Sequence, residues 1–263
     1  MFGFLRNRTK RRAASPTPGL AALRRMQAAD VTAVLAGDQS KAARWLEAAA
    51  RQGVGAAQVR LGRMLLDGLG LAKDENAAWR WFMTAARDGD VDAMNMVGRC
   101  QENGWGVPVN MALAAVWYSK AAARGDAWAQ YNLGHLLLDG NGVAQDHDAA
   151  FAWYGRAAAQ GHARAMNLVA VCHERGWGTP RNSGEAAAWY RRSAEAGYFR
   201  GEFNYATLLL SAGQKSDARI WFQRAASHGS DNVKARVEMI LRCLDRGIVL
   251  ASATRERLAH QVS

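Results

Sequence analysis

The chain has 263 residues, 49% of them apolar and 22% charged, a balance that excludes a disordered polymer and suits a folded core. Its formal charge of +11 divides unevenly: the first 19 residues hold five cations and no acid, whereas residues 20 to 230 carry a net charge of only +4. A body so mildly basic lacks the dense row of cations that follows a phosphate backbone, so nucleic-acid binding by the body is not expected.

In chain order, residues 1 to 19 read as a basic, disordered tail. Its start, MFGFLRNRTKRR, places Phe2, Phe4 and Leu5 ahead of Arg6, Arg8, Lys10, Arg11 and Arg12, the reverse of a secretory signal, and AASPTPG (13 to 19) reads as a flexible link. These eight residues could dock on an anionic membrane, where each basic residue contributes about 1 kcal/mol near the surface. They equally suit an Arg-rich transit or nuclear signal, or a solvated tail without function; the alternative reading of the whole chain is a regulatory factor that associates with a membrane or nucleic acid through this tail. No apolar run approaches the roughly 18 residues that span a bilayer. A cytoplasmic protein is expected, peripheral to a membrane only through the tail and not secreted.

From residue 20 onward the sequence is periodic. Glycines 53, 89, 125, 161 and 197 are 36 residues apart, and Gly229 follows after 32. The pairs Trp45-Leu46, Trp81-Phe82, Trp117-Tyr118, Trp153-Tyr154, Trp189-Tyr190 and Trp221-Phe222 keep the same register, as do the glycine pairs 68/70, 104/106, 140/142 and 176/178. Each period holds two helical stretches. The first carries small and apolar residues at i, i+4, i+7 and i+8, as in Ala129, Leu133, Leu136 and Leu137, and closes at a glycine. The second starts after Asp74, Asn110, Asp146 or Asn182, whose side-chain oxygens can accept from free first-turn N–H groups. Neither helix can bury its apolar face alone, so stacked neighbours must supply the core.

This organisation gives an N-terminal capping helical pair over residues 20–55, four 36-residue repeats over 56–199, a shortened fifth repeat over 200–231 and C-terminal capping helices over 232–263. The end units depart from the period: SAGQKSDAR (211 to 219) and AGDQSKAAR (36 to 44) are both short. VKARVEMILRCLDRG and a segment near 252 to 260 read as closing helices.

The pattern A-x-x-x-L-G, G-x-G-V, D/N, A-x-x-W-Y-x-K-A-A, G resembles the Sel1-like repeat, a relative of the tetratricopeptide repeat; AWAQYNLG, GNGV, Asp146 and FAWYGRAAAQG carry it well. The resemblance covers about residues 42 to 229. It implies an all-α fold, a right-handed α-solenoid with first helices lining a concave surface and second helices forming the outer wall. It also implies a non-catalytic scaffold or adaptor that binds a protein or peptide partner.

A longer period runs inside the short one. NMVGRCQENGWGVPVN (95 to 110) matches NLVAVCHERGWGTPRN (167 to 182) at nine positions but the adjacent VRLGRMLLDGLGLAKD (59 to 74) at only four. The sequence unit is therefore a 72-residue pair. At a core position held by Leu65 and Leu137, the alternate repeats place Gln101 and His173. A buried polar group left unpaired costs about 1–3 kcal/mol, so both side chains are expected to bond to loop main chain.

The chemical alternatives fail on spacing. G-W-G-V-P lacks the strand before it and the G-K-[ST] ending of a phosphate loop. The six histidines form no HExxH pair, Cys100, Cys172 and Cys243 stand far apart, and no G-x-S-x-G elbow occurs. No catalytic residue, cofactor or metal is expected. Six tryptophans hold the repeat register and are expected in the core, where substitution by alanine costs about 3–5 kcal/mol. Trp79, Trp105, Trp128 and Trp177 lie off it, and tryptophan is common at binding hot spots. For the concave face, the tetratricopeptide-like register selects Arg63, Asp92, Asn95, Arg99, Trp128, Tyr131, His135, Arg164, Asn167 and Arg200; with Trp105 and Trp177 on the loop rim, they suit an extended peptide.

Overall fold

A computed structural model describes residues 37–246. The basic tail, the start of the N-terminal capping pair and the closing segment near 252 to 260 lie outside the described residues. Among these there are twelve α-helices and no strand, in two compact units. The unit ending at Asp90 holds α1 (Gln39–Arg51), α2 (Gly55–Asp67) and α3 (Glu75–Arg87). The unit beginning at Val91 holds α4 (Val91–Asn103), α5 (Met111–Ala122), α6 (Ala127–Asp139), α7 (His147–Ala159) and α8 (Ala163–Arg175). It continues through α9 (Ser183–Glu195), α10 (Phe199–Ser211), α11 (Lys215–His228) and α12 (Asp231–Asp245). Within each unit, consecutive helices pack on one another, and α8 also meets α10, the first helix of the following repeat. This is an all-α solenoid of helix-turn-helix repeats.

The punctuation read from the sequence sets the helix ends. Asp74, Asn110, Asp146 and Asn182 accept from the N–H groups of Ala77, Leu113, Ala149 and Glu185 at 2.8, 2.9, 2.9 and 3.0 Å, satisfying donors that the first turn leaves free. Gly140 and Gly176 take the left-handed conformation (φ 72° and 77°) and donate to the carbonyls of Leu136 and Cys172, ending the first helices. The second glycine of each pair does something different. Gly142 and Gly178 are also left-handed (φ 71° and 67°), and a Cβ there would overlap the backbone of Met111 and of His147, where the preceding repeat's second helix begins. These two G-x-G turns thus fasten their repeats to the ones before them.

Each loop is closed by a main-chain bond. The N–H of Asn110 donates to the carbonyl of Gln101 at 2.7 Å and that of Asn182 to His173 at 2.9 Å, and Asp74 and Asp146 make the same bond to Leu65 and Leu137. The expectation that the Gln101 and His173 side chains bond to loop main chain is not met. The Gln101 side chain is buried, and the His173 ring packs edge-on against Phe151 at 5.3 Å with its Nδ1 unpaired. The polar residue that matters is the next one. Glu102 and Glu174 accept from the hydroxyls of Tyr118 (2.5 Å) and Tyr190 (2.9 Å), whereas the intervening repeats place Leu66 and Leu138 at that position of the period.

The tryptophans of the repeat register are not the core residues. Phe82, Tyr118, Tyr154 and Phe222 are at most 1% exposed, while Trp81, Trp117, Trp153 and Trp221 are half-buried. Adjacent helix residues point about 100° apart, and in each of these pairs the second residue is the one turned inward. The outer ring instead carries a cation three residues on: Lys120 over Trp117 (4.5 Å), Arg156 over Trp153 (4.3 Å), Arg192 over Trp189 (4.6 Å) and Arg224 over Trp221 (4.3 Å). In the core, Gly98 lets Tyr118 approach so closely that a Cβ would stand 2.6 Å from the ring.

Candidate peptide groove

The face formed by α6, α8 and α10 carries a groove of about 410 Å³, within the range of ligand pockets. Repetition places residues in rows along the first helices, and the later members of these rows reach the groove. One row runs Asp92, Trp128, Arg164, Arg200 at intervals of 36, the second residue of α4, α6, α8 and α10. Another runs Asn95, Tyr131, Asn167, and a third Arg99, His135, Val171. Trp177 enters from the loop after α8, and Tyr198 from the residue before α10.

Tyr131 is the centre of a ring cluster. His135 stands edge-on to it at 4.7 Å, His162 lies against it at 4.9 Å, and Trp128, 48% exposed, meets it at 6.3 Å and His162 at 4.4 Å. The guanidinium of Arg164 lies 5.3 Å from the Trp128 ring and 5.8 Å from that of Tyr198. Burial pushes the Tyr131 and Tyr198 hydroxyls up and the His135 imidazole down, so the phenols stay protonated and the imidazole neutral.

His162 shows how firmly that neutrality is held. Its Nδ1 caps α8, accepting from the N–H of Ala165 at 3.2 Å, which only an uncharged ring can do. Burial, with Arg164 beside it, pushes the imidazole down from 6.5 to about 4. The unfolded chain therefore takes up a proton below about pH 6.5 that the folded chain refuses until about pH 4, and stability falls with pH across that window. The ring is half-exposed, so the loss is only about 1 kcal/mol. In urea unfolding between pH 7 and 4.5, a His162→Asn variant, which keeps a cap without a titrating group, is expected to lose that part of the pH slope.

The structure gathers some of the sequence-selected residues and separates others. Tyr131, His135, Arg164, Asn167, Trp177 and Arg200 line the groove. Arg63 is exposed on α2 in the other unit, and Asp92 is exposed on α4. Arg99 is exposed and lies 5.0 Å from the half-buried ring of Trp105, away from the groove lining. Asn95 and Asn167 are buried, 7% and 6% exposed, and their side-chain oxygens accept from Asn132 (3.1 Å) and Asn204 (2.9 Å) on the next repeat's first helix. They join repeats; peptide contact is a secondary role at most for groups so engaged. His162 and Tyr198 were missed because they precede the first helices, where Asp90 and Asp126 hold the same register.

Among the described residues, no group of His, Cys, Asp and Glu side chains is arranged to hold a metal, and no helix is long and apolar enough to cross a membrane. Cys172 is buried and its thiol is pushed up to about 12, so it stays protonated.

The Sel1 repeat family model matches residues 32–54, 55–90, 91–126, 129–162, 163–198 and 204–230. Among solved structures, a Sel1 repeat protein from Oxalobacter formigenes is 27% identical, with 78% of this chain and 87% of that one covered and a TM-score of 0.66. A protective antigen of uropathogenic Escherichia coli with the SLR fold is 24% identical at a TM-score of 0.66, over 86% of this chain; the match spans only 50% of the antigen. A Sel1 repeat protein from Klebsiella pneumoniae, 18% identical, is covered over 98% of its length by 75% of this chain, with a TM-score of 0.53. No curated protein matches the chain in sequence.

Proposed function

The chain belongs to the Sel1 repeat family, and from that premise we propose that it is a cytoplasmic, non-catalytic scaffold that holds a partner protein in the groove of α6, α8 and α10. Sel1 repeat proteins generally mediate protein–protein interactions. The observation that carries the finer reading is Trp128: a tryptophan 48% exposed, 5.3 Å from the guanidinium of Arg164 in the groove lining, joins two residue types enriched at binding hot spots. The basic tail offers a second, separable contact through its five cations and three apolar residues.

Affinity capture with mass spectrometry tests both readings. A Trp128→Ala, Arg164→Ala variant that keeps its helical circular dichroism is expected to lose partners that the wild type retains, and deletion of residues 2 to 12 to leave those partners bound. Identical partner sets for the wild type and the groove variant would refute the groove reading; loss confined to the deletion would transfer the function to the tail.

A further inference from the structure

Resting on the reading of the groove as the contact surface, we propose that its occupant is an extended acidic peptide segment of the partner protein, with one carboxylate seated between Arg164 and Arg200. The two guanidiniums occupy the same place in successive repeats and line the groove together with Tyr131 and Tyr198, so four side chains able to donate hydrogen bonds share its wall. The Arg164 guanidinium lies 5.8 Å from the centre of the Tyr198 ring. Among the described residues neither guanidinium forms an ion pair, although arginines elsewhere in the chain, such as Arg191 with Glu195 and Arg219 with Asp245, do. The Nε of Arg200 is buried without a hydrogen-bond partner, a cost that an incoming acceptor removes.

Charge selects the class of anion. Arg175 adds a third cation to the lining, and Asp139 and Glu174 add two acids, leaving one net positive charge. That matches a single carboxylate better than a dianionic phosphate, which would meet the two acids as well as the arginines. Glu174 is itself held by the Tyr190 hydroxyl at 2.9 Å. Beyond the arginines the wall turns apolar at Leu168, Val171 and Trp177, so a residue next to the acidic one finds an apolar seat. A guanidinium binds a carboxylate through two parallel N–H···O bonds, which fixes the acid's orientation as well as its charge.

The test selects a display library of random twelve-residue peptides on the full chain, in parallel with an Arg164→Gln, Arg200→Gln variant and a Trp128→Ala variant, each checked for helicity. The wild-type pool is expected to converge on Asp or Glu beside an apolar residue. The strongest such peptide, made synthetically with a fluorophore, is expected to lose at least tenfold in affinity when its acid is replaced by the amide, and by a similar factor against the double-Gln variant. An Arg164→Lys, Arg200→Lys variant, which keeps the charge without the fork, is expected to fall between.

A wild-type pool converging on non-acidic peptides that still need Trp128 would overturn the carboxylate assignment and leave the groove reading standing. Peptides, acidic or otherwise, bound equally by wild type, double-Gln and Trp128→Ala forms would overturn both. A phosphoserine peptide more than tenfold stronger than its Glu counterpart would overturn the choice of carboxylate, as would failure of any peptide to converge.

Discussion

Replacing Tyr118 by alanine is expected to lower the unfolding free energy by about 3–5 kcal/mol, and replacing its neighbour Trp117 by only about 1–2 kcal/mol. The tryptophan is the larger side chain, so composition alone would predict the opposite order. Tyr118 is fully buried, its ring lies against Gly98, and its hydroxyl donates to Glu102; alanine would leave a ring-sized cavity in a helix pair whose glycine offers no side chain to collapse into it. Trp117 keeps one face in solvent under Lys120, so its loss removes partial burial and a surface cation–π contact worth about 0.5–1 kcal/mol. Urea titrations of the two variants, read at a common slope, give the comparison directly. Equal losses would show that the outer ring contributes as much as the inner one.

Gly178→Ala is the second large effect, with an expected cost of about 2–5 kcal/mol. Two penalties combine: a left-handed backbone costs a non-glycine residue about 1–2 kcal/mol, and a Cβ forced against the His147 carbonyl adds about 1–3 kcal/mol of overpacking. Gly161 provides the control. It is also left-handed, at φ 87°, but a Cβ there would touch nothing within 4 Å, so Gly161→Ala should carry the backbone penalty alone. If the two variants unfold at the same urea concentration, the fastening role of the second glycine is wrong.

Much of the fold was legible in the sequence because each helix end is a single-residue event. A left-handed stop needs glycine and a first-turn cap needs a short polar acceptor, and both repeat at fixed intervals where nothing else competes. Inward facing is less legible. Trp117-Tyr118 places two aromatics side by side, and only the stacked partner helix decides which one turns in. The groove divided along the same line. Arg164, Arg200 and Tyr131 were found because first-helix register selects them, whereas Asn95 and Asn167 share that register but are spent on Asn132 and Asn204, residues 37 positions on whose pairing no local pattern records. His162 and Tyr198 escaped because the site extends one residue past the helix start.

Those asparagine pairs constrain how the chain can change length. The joint between α4 and α6, and that between α8 and α10, is an Asn–Asn bond; between α6 and α8 the corresponding residues are Tyr131 and Leu168. Excising one 36-residue repeat, residues 127 to 162, would bring Asn95 against Leu168 and strand a buried amide, whereas excising the 72 residues from 127 to 198 would bring it against Asn204 and restore the bond. The stretch from α4 to α10 has a parity: losing the two repeats between Asp126 and Phe199 keeps an Asn–Asn joint, and losing one of them leaves a mismatched joint.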